Sequence, residues 1–323
     1  MRLHDLGEFG FIERLAQLAP CSAPELELGL GDDCAIVRVG DQRLAVTTDA
    51  MLEGRHFRLD WLTPEEVGAR AMTAGLTDIA AMGAAPRLAF TSVALPPTWT
   101  AEQATDLGRG LVEQARRYGV CLAGGDTIAA HGEAFVDVIV VGWCGAHLWR
   151  RDAAEVGDSV CVTGSLGGAA AAMAGKLAGL EDIPCWDAYA RPQPRVAEAE
   201  ALAPLGLIHA ALDISDGLVQ DAGHICERSG VGIVLRATDV PVHPGAAAVA
   251  AELGDDALSY ALTGGEDFEL LFTCRPEDVA NVRGASAVPV TVVGEVVAGT
   301  QVTVRDAAGE EMTLPRRGWD QFR

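Results

Sequence analysis

Lysine is almost missing from this chain: of its 24 basic residues, only Lys176 is a lysine. Phosphate chemistry here cannot rest on the lysine of a G-x-x-x-x-G-K-[ST] loop. Lys176 does follow Gly175, but Ala170 and Leu177 break that pattern. Basic charge is scarce in general. Against 46 acidic residues the formal net charge is −22 and the pI is near 4.6. That leaves little with which to build the basic face a nucleic-acid binder needs. Most of the acids are expected to form a solvated surface. No run of about 18 apolar residues escapes polar interruption, so no membrane-spanning helix is expected. The opening MRLHDLGEFG contains no apolar signal-peptide core. None of the eight cysteines (21, 34, 121, 144, 161, 185, 226, 274) forms a C-x-x-C pair. Their scatter argues against a zinc site or a disulfide framework and for reduced thiols in a cytoplasmic enzyme.

What is present is apolar and glycine-rich: 49% hydrophobic residues and 37 glycines in 323 residues. On a prior of ~150 residues per domain, that suffices for about two domains with sizeable cores and many tight loops.

Residues 29–57 organise the rest. Apolar runs at Ala35–Val39 and 44–46 flank Gly40-Asp41, which predicts a β-hairpin. Asp32 and Asp33 precede the first strand, and Thr47, Thr48 and Asp49 follow the second. Antiparallel pairing is expected to bring those ends together. No Lys or Arg lies between Gly29 and Ala35, or between Leu44 and Glu53. Carboxylates so crowded repel one another unless a cation is present. Asp and Thr oxygens suit Mg²⁺, a hard ion usually held by carboxylates and substrate phosphates. Taken singly, each of these residues is as well explained as a turn or helix cap.

Along the chain, 7–19 has helical apolar spacing at Phe11, Ile12, Leu15, Ala16 and Ala19, with 7–9 as a lead-in. A helix over 64–83 follows, with Thr63 and Glu66 as a capping box and Gly83 as C-cap. Asp78 sits near its C-terminal end, where a carboxylate opposes the helix dipole by about 0.3–1 kcal/mol. It is a candidate metal ligand, or equally an exposed acid that tolerates the penalty. A strand is expected at 87–95 and a helix at 100–118 with a Thr100/Gln103 box. A short buried strand at 120–123 should end in Gly124-Gly125-Asp126-Thr127, and a long strand covers 134–143. Residues 145–158 lose periodicity and mark the boundary between domains 1–148 and 149–323. The second domain opens with strand Ser159–Thr163. The loop 164–168 after it either offers N–H groups to phosphate or packs tightly through small residues. Helix is expected again at 195–205. Strand Ile208–Asp213 leads through Ser215 and Asp216 into a helix ending near Arg228, where either acid could be an N-cap. Gly264-Gly265-Glu266-Asp267 precedes a strand at 268–273. Short strands are expected at Val290–Val297, 301–305 and 311–314, and Trp319 is either a core plug or a ring-stacking lid. Alternating strands and helices in both halves predict an α/β (α+β) architecture with two α/β domains.

Six acidic element ends in this order, GDD (31–33), TTD (47–49), TD (77–78), GGDT (124–127), DISDG (213–217) and GGED (264–267), form a pattern. With it, and with GEF at 7–9 and GWDQF at 318–322, the chain resembles the thiamine-monophosphate kinases. They belong to the superfamily typified by aminoimidazole ribonucleotide synthetase. The resemblance implies phosphoryl transfer from ATP to thiamine monophosphate, several Mg²⁺ ions, and a homodimer paired through the N-terminal sheet. It implies that Asp33, Thr47, Thr48, Asp49, Asp78, Asp126, Asp213 and Asp216 hold Mg²⁺. Gly125, Asp126, Arg151 and Ser215 would contact ATP, and His56, Glu266 and Trp319 would contact thiamine phosphate. Asp49, Asp126 and Arg151 are the implied catalytic residues. Gly108 departs from the family, which often has an aromatic residue there near the nucleotide. His56 by itself reads equally well as a packed core histidine. The competing functions are a sister ATP-dependent synthetase (purine precursor or selenophosphate) and a non-enzymatic acidic cation-binding protein. Against selenophosphate chemistry, no lysine precedes Lys176; against a calcium store, no D-x-[DN]-x-[DN]-G loop is present.

Overall fold

The structure is a computed structural model and describes residues 3–18 and 23–319. Ala19, Cys21 and the Asp320-Gln321-Phe322 of the C-terminal motif lie outside the described residues.

The first half is one six-stranded sheet: β1 (Leu26–Leu28), β2 (Ala35–Val39), β3 (Gln42–Leu52), β4 (Ala84–Leu95), β5 (Cys121–Ala129) and β6 (Phe135–Cys144). Their order is β1-β2-β3-β6-β4-β5, antiparallel except for the parallel β4–β5 pair. Its helices are α1 (Leu3–Leu18), α2 (Pro64–Ala81) and α3 (Ala101–Arg117). The hairpin forms in the expected register, from Ala35 opposite Val46 to Val39 opposite Gln42. The second strand does not stop at Val46. It runs on to Leu52 because β6 supplies a partner from Leu44 opposite Trp143 to Leu52 opposite Phe135. Thr47, Thr48 and Asp49 are thus inside a strand, and alternation sends Thr48 to the opposite face from the other two.

Both capping boxes are present: Thr63 with Glu66 starts α2, and Thr100 with Gln103 starts α3. The helix over 64–83 ends at Ala81, with Gly83 just beyond in the left-handed region. α2 packs on β3, β4 and β6, and α3 lies against α2. The two helices approach through Gly68 and Gly110. A Cβ at these positions would meet Leu107 O at 2.2 Å and Glu65 O at 1.9 Å. α1 starts earlier than expected and is kinked at Gly7, and its Phe11 and Leu15 remain exposed. β5 is the largest departure. It is neither short nor buried but a nine-residue exposed edge strand that runs through 124–127.

The second half is another six-stranded sheet: β7 (Ser159–Thr163), β8 (Ile208–Asp213), β9 (Gly232–Arg236), β10 (Leu270–Cys274), β11 (Val290–Val297) and β12 (Val302–Arg305). Their order is β12-β9-β11-β7-β10-β8. Around it lie α4 (Gly168–Leu177), α5 (Trp186–Ala190), α6 (Val196–Leu202), α7 (Leu218–Ser229), α8 (Pro244–Leu253), α9 (Ala257–Thr263) and α10 (Val279–Ala285). The expected helix at 195–205 is α6 followed by a 3₁₀ turn. Residues 311–314 form only an isolated bridge to Arg305. The protein is therefore two mixed α/β domains with a six-stranded sheet each. α2 also touches α5, α6 and β8, so one helix serves the first core and the contact between the halves. No described helix is long and apolar enough to cross a membrane.

Candidate active site

Three carboxylates converge from three elements: Asp33 from the loop before β2, Asp78 from the last turn of α2, and Asp213 from the end of β8. One oxygen of each lies within 4.8 Å of the others. Thr47 donates from Oγ1 to Asp78 Oδ2 at 2.5 Å. Burial, then repulsion from neighbouring acids, pushes the Asp78 and Asp213 carboxyls well above the ordinary range. Asp49 is pushed up to about 7 by burial and then by Glu266 and Asp137. Asp32 is pushed up to about 6 by burial and then by Asp33. Asp213 is 2% exposed, and its Oδ2 has no hydrogen-bond partner.

One cation enters this group. Arg151 binds Asp33 through both Nη2 (2.5 Å) and Nε (3.2 Å), and its backbone N–H donates to Asp32 Oδ2 at 3.2 Å. Burial works against its charge, but Asp33, Asp32 and Asp213 outweigh it and raise the guanidinium pKa. A single arginine already engaged by two acids cannot neutralise the rest. An all-oxygen set with an unpartnered buried carboxylate oxygen fits a hard divalent cation, whose binding would replace the protons these groups otherwise retain.

Beside this group opens a cavity of about 640 Å³, with Asp49, His56, Ser215, Asp216, Glu266 and Trp319 on its walls. His56 Nδ1 accepts the Leu52 N–H at 3.1 Å, which leaves the hydrogen of a neutral ring on Nε2. Glu266 and Phe268 have φ of 66° and 51°, left-handed values that cost a non-glycine residue roughly 1–3 kcal/mol. Their N–H groups donate to the Ser215 and Ile214 carbonyls, which holds the strained loop beside β8. Trp319 is tied down through its backbone. Its N–H donates to the Asp216 carbonyl at 3.1 Å and its carbonyl accepts from Gln220. Its ring faces Arg55, whose guanidinium carbon is 4.4 Å from the ring centroid.

Other expected residues stand apart. Thr48 points to the other face of β3 from Asp49 and donates to Asp137 at 2.7 Å; it still lines the cavity but is away from the Asp33, Asp78 and Asp213 group. Gly125 and Asp126 are on the far edge of the sheet. Asp49 is opposite Val138, Val138 opposite Thr91, and Thr91 opposite Gly125. Three strand spacings put Gly125 about 14 Å from Asp49. Asp126 is exposed and caps the N–H of Thr127 at 2.8 Å. Gly108 lies on α3 with open space where a side chain would project. At α4 the phosphate reading gives way to a protein cap: Asp267 accepts from Gly167 N–H at 2.7 Å and from the next two N–H groups. The α7 start is capped by neither Asp213 nor Asp216. Asp221 reaches back to the N–H groups of Asp216 (3.1 Å) and Gly217 (2.9 Å).

Sequence reasoning missed Asp221 and His224, which cluster with Asp216. Their placing on α7, five and eight residues after Asp216, was the available signal. It also missed Arg70, which lies on α2 at helical spacing among Val67, Ala71 and Ala74, a charge in an apolar stripe.

Comparison with known proteins gives the family. Residues 31–144 match the family described as AIR synthase related protein, N-terminal domain, and residues 155–307 match AIR synthase related protein, C-terminal domain. The thiamine-monophosphate kinase of Rhodopirellula baltica is 35% identical over 303 residues, covering 91% of each chain. That of Mycobacterium tuberculosis is 36% identical over 323 residues, covering 99% of this chain and 93% of its own. Among solved structures, AaThiL complexed with AMPPCP and TMP superposes with a TM-score of 0.87 at 30% identity, covering 99% of both chains.

Proposed function

The chain belongs to the thiamine-monophosphate kinase family, and on that premise we propose that it transfers the γ-phosphoryl group of ATP directly to the phosphate of thiamine monophosphate, with several Mg²⁺ ions. The products are thiamine diphosphate and ADP. The observation that carries this reading is the shared cavity. Asp49 and Asp216 of the acid groups lie on the same walls as His56, Glu266 and Trp319.

The acceptor is a phosphate oxygen, largely ionised at neutral pH, so the transfer needs no general base. The work left to the protein is in-line positioning and control of charge. Asp33, Asp78 and Asp213, with Asp49, Thr47 and Asp216 beside them, would hold the Mg²⁺ ions. Bound there, Mg²⁺ would offset the repulsion between carboxylates and phosphates. Arg151, fixed by Asp32 and Asp33, supplies a permanent positive charge to the acid group beside the cavity. Trp319 and Glu266 present a flat ring and a carboxylate to the cationic thiazolium, and His56 offers Nε2–H to the acceptor. Ser215 lies where the nucleotide phosphates would pass.

Gly125 and Asp126 serve the nucleotide from the exposed edge strand, and the same edge is where a homodimer would pair. The exposed Ile128 on β5 and Phe90 on β4 support that placement. The domains divide at 148/149, between the two sheets. Free thiols at all seven described cysteines accord with a cytoplasmic setting.

The test is ADP release from Mg–ATP with thiamine monophosphate, measured against a panel of other phosphorylated acceptors and selenide. Release that depends on thiamine monophosphate and on Mg²⁺ is expected. Release that ignores thiamine monophosphate but responds to a purine precursor or to selenide would transfer the chain to a sister activity. Absence of ATP binding would leave only a cation-binding protein.

A further inference from the structure

Arg70 is a charged group that the chemistry above leaves unused. It has no solvent exposure, on the face of α2 that also buries Val67, Ala71 and Ala74. A guanidinium in such a place is costly unless its charge is answered. The answer comes from the other half of the chain. Nη1 donates to the Tyr189 carbonyl, and the guanidinium carbon lies 4.2 Å from the centroid of the Tyr189 ring. Nη2 stands 2.9 Å from Glu266 Oε1. The angle there is that of an ion pair, not a hydrogen bond, and neither Nη2 nor Nε has a hydrogen-bond partner. Glu266 is the one carboxylate at ion-pair distance from Arg70 among the described residues.

Glu266 needs such a partner for a second reason. It lies on the cavity wall with Asp49 and Glu8, and its charge is the largest electrostatic contribution to the raised Asp49 carboxyl. Repulsion from those two acids would turn a free Glu266 side chain away toward solvent, and at 27% exposure it has room to go. The left-handed backbone at Glu266 sets where the side chain starts; Arg70, behind the wall, sets where it ends.

We propose that Arg70 is a positioning residue for the phosphate acceptor: from outside the cavity it fixes the Glu266 carboxylate on the wall, against the repulsion of Asp49 and Glu8. Tyr189 holds the guanidinium in place, so the α5 segment takes part as well. The proposal rests on the reading of Glu266 as an acceptor contact.

The experiment is a double-mutant cycle in the full-length enzyme with Arg70→Met, Arg70→Lys and Glu266→Gln, read as KM for thiamine monophosphate, KM for ATP and kcat. Arg70→Met should raise the acceptor KM by about 10- to 100-fold, the range for losing an interaction with a charged group. The ATP KM should stay within about twofold, since Arg70 touches nothing assigned to nucleotide. Arg70→Lys should show a rise of only a few fold. In the Glu266→Gln background either Arg70 change should add almost nothing, because its route of action is gone. Should Arg70→Met not fold, Arg70→Lys with and without Glu266→Gln gives the same comparison. Equal losses of acceptor and ATP affinity, or full additivity with Glu266→Gln, would refute the proposal and make Arg70 a residue of the interface between the halves. An unchanged acceptor KM in Glu266→Gln alone would instead overturn the assigned role of Glu266, and this proposal with it.

Discussion

Replacing Asp49 by asparagine should make the metal-free protein more stable and the enzyme nearly inactive. The folded Asp49 carboxyl titrates near 7, against an ordinary value of 3.8. A raised folded pKa means the native state binds the proton more tightly than the unfolded chain. The associated stability is complete below about pH 4 and is lost as the pH rises through 7. Three pH units at about 1.36 kcal/mol each give some 4 kcal/mol. Water in the cavity that Asp49 lines reduces this to the order of 3 kcal/mol. With ~2.1 cal/mol/K of unfolding entropy per residue, 3 kcal/mol is about 4–5 °C in a chain of 323 residues. Asparagine carries no such charge. In chelator, Asp49→Asn should match the parent near pH 4 and melt several degrees higher at pH 8. Saturating Mg²⁺ should narrow or invert the gap, because the parent gains more from the ion. Turnover of the variant should fall by orders of magnitude. Scanning calorimetry at both pH values, with and without Mg²⁺, reads every term. A variant that melts below the parent at pH 8 in chelator would mean that the carboxylate is a satisfied structural partner and that the charge argument is wrong.

Trp319→Ala should weaken acceptor affinity by about 3- to 30-fold, the span of a ~0.5–2 kcal/mol cation–π contact. Both bonds that pin the tail come from backbone atoms of Trp319, so melting should change little; a large loss of melting temperature with unchanged acceptor affinity would show a packing residue. Gly125→Ala should cost roughly 1–3 kcal/mol in urea denaturation, because its Cβ would meet Thr91 O at 2.0 Å, and it should raise the KM for ATP. An unchanged ATP KM would remove Gly125 from the nucleotide site. Ile128→Glu, at a β5 position 61% exposed, should shift the protein from dimer to monomer in sedimentation; a wild-type chain that sediments as a monomer at all concentrations would refute the pairing.

The local features of the fold were legible because local chemistry sets them. Gly40-Asp41 makes the hairpin, and Thr63/Glu66 and Thr100/Gln103 start α2 and α3 within four residues. What failed was set at a distance. Thr47, Thr48 and Asp49 looked like a strand end because the pairing that extends β3 comes from β6, some ninety residues on. Residues 120–123 looked buried because nothing in an apolar run tells an edge strand from a central one. Trp319 stayed open between core plug and ring-stacking lid because its tethers, Asp216 and Gln220, are about a hundred residues away. At the site, the carboxylates from 33, 78 and 213 were recognisable as acids at element ends. Their convergence needed the fold, as did the separation of Asp126 from them. The capping role of Asp267 was hidden in the same way: it closes a helix that begins a hundred residues earlier.

The lone lysine has a practical consequence. Lys176 projects from α4 with its ammonium 5.2 Å from the centroid of the Trp186 ring, and its neighbours Met173 and Leu177 are part of the cavity wall. Amine-directed reagents therefore have a single side-chain target, set by nature at the rim of the cavity. A fluorophore coupled there would need no engineered attachment point, and its emission would register substrate entry beside it. Thiol labelling offers no such economy, since among the described cysteines Cys121 is exposed and Cys144 partly so.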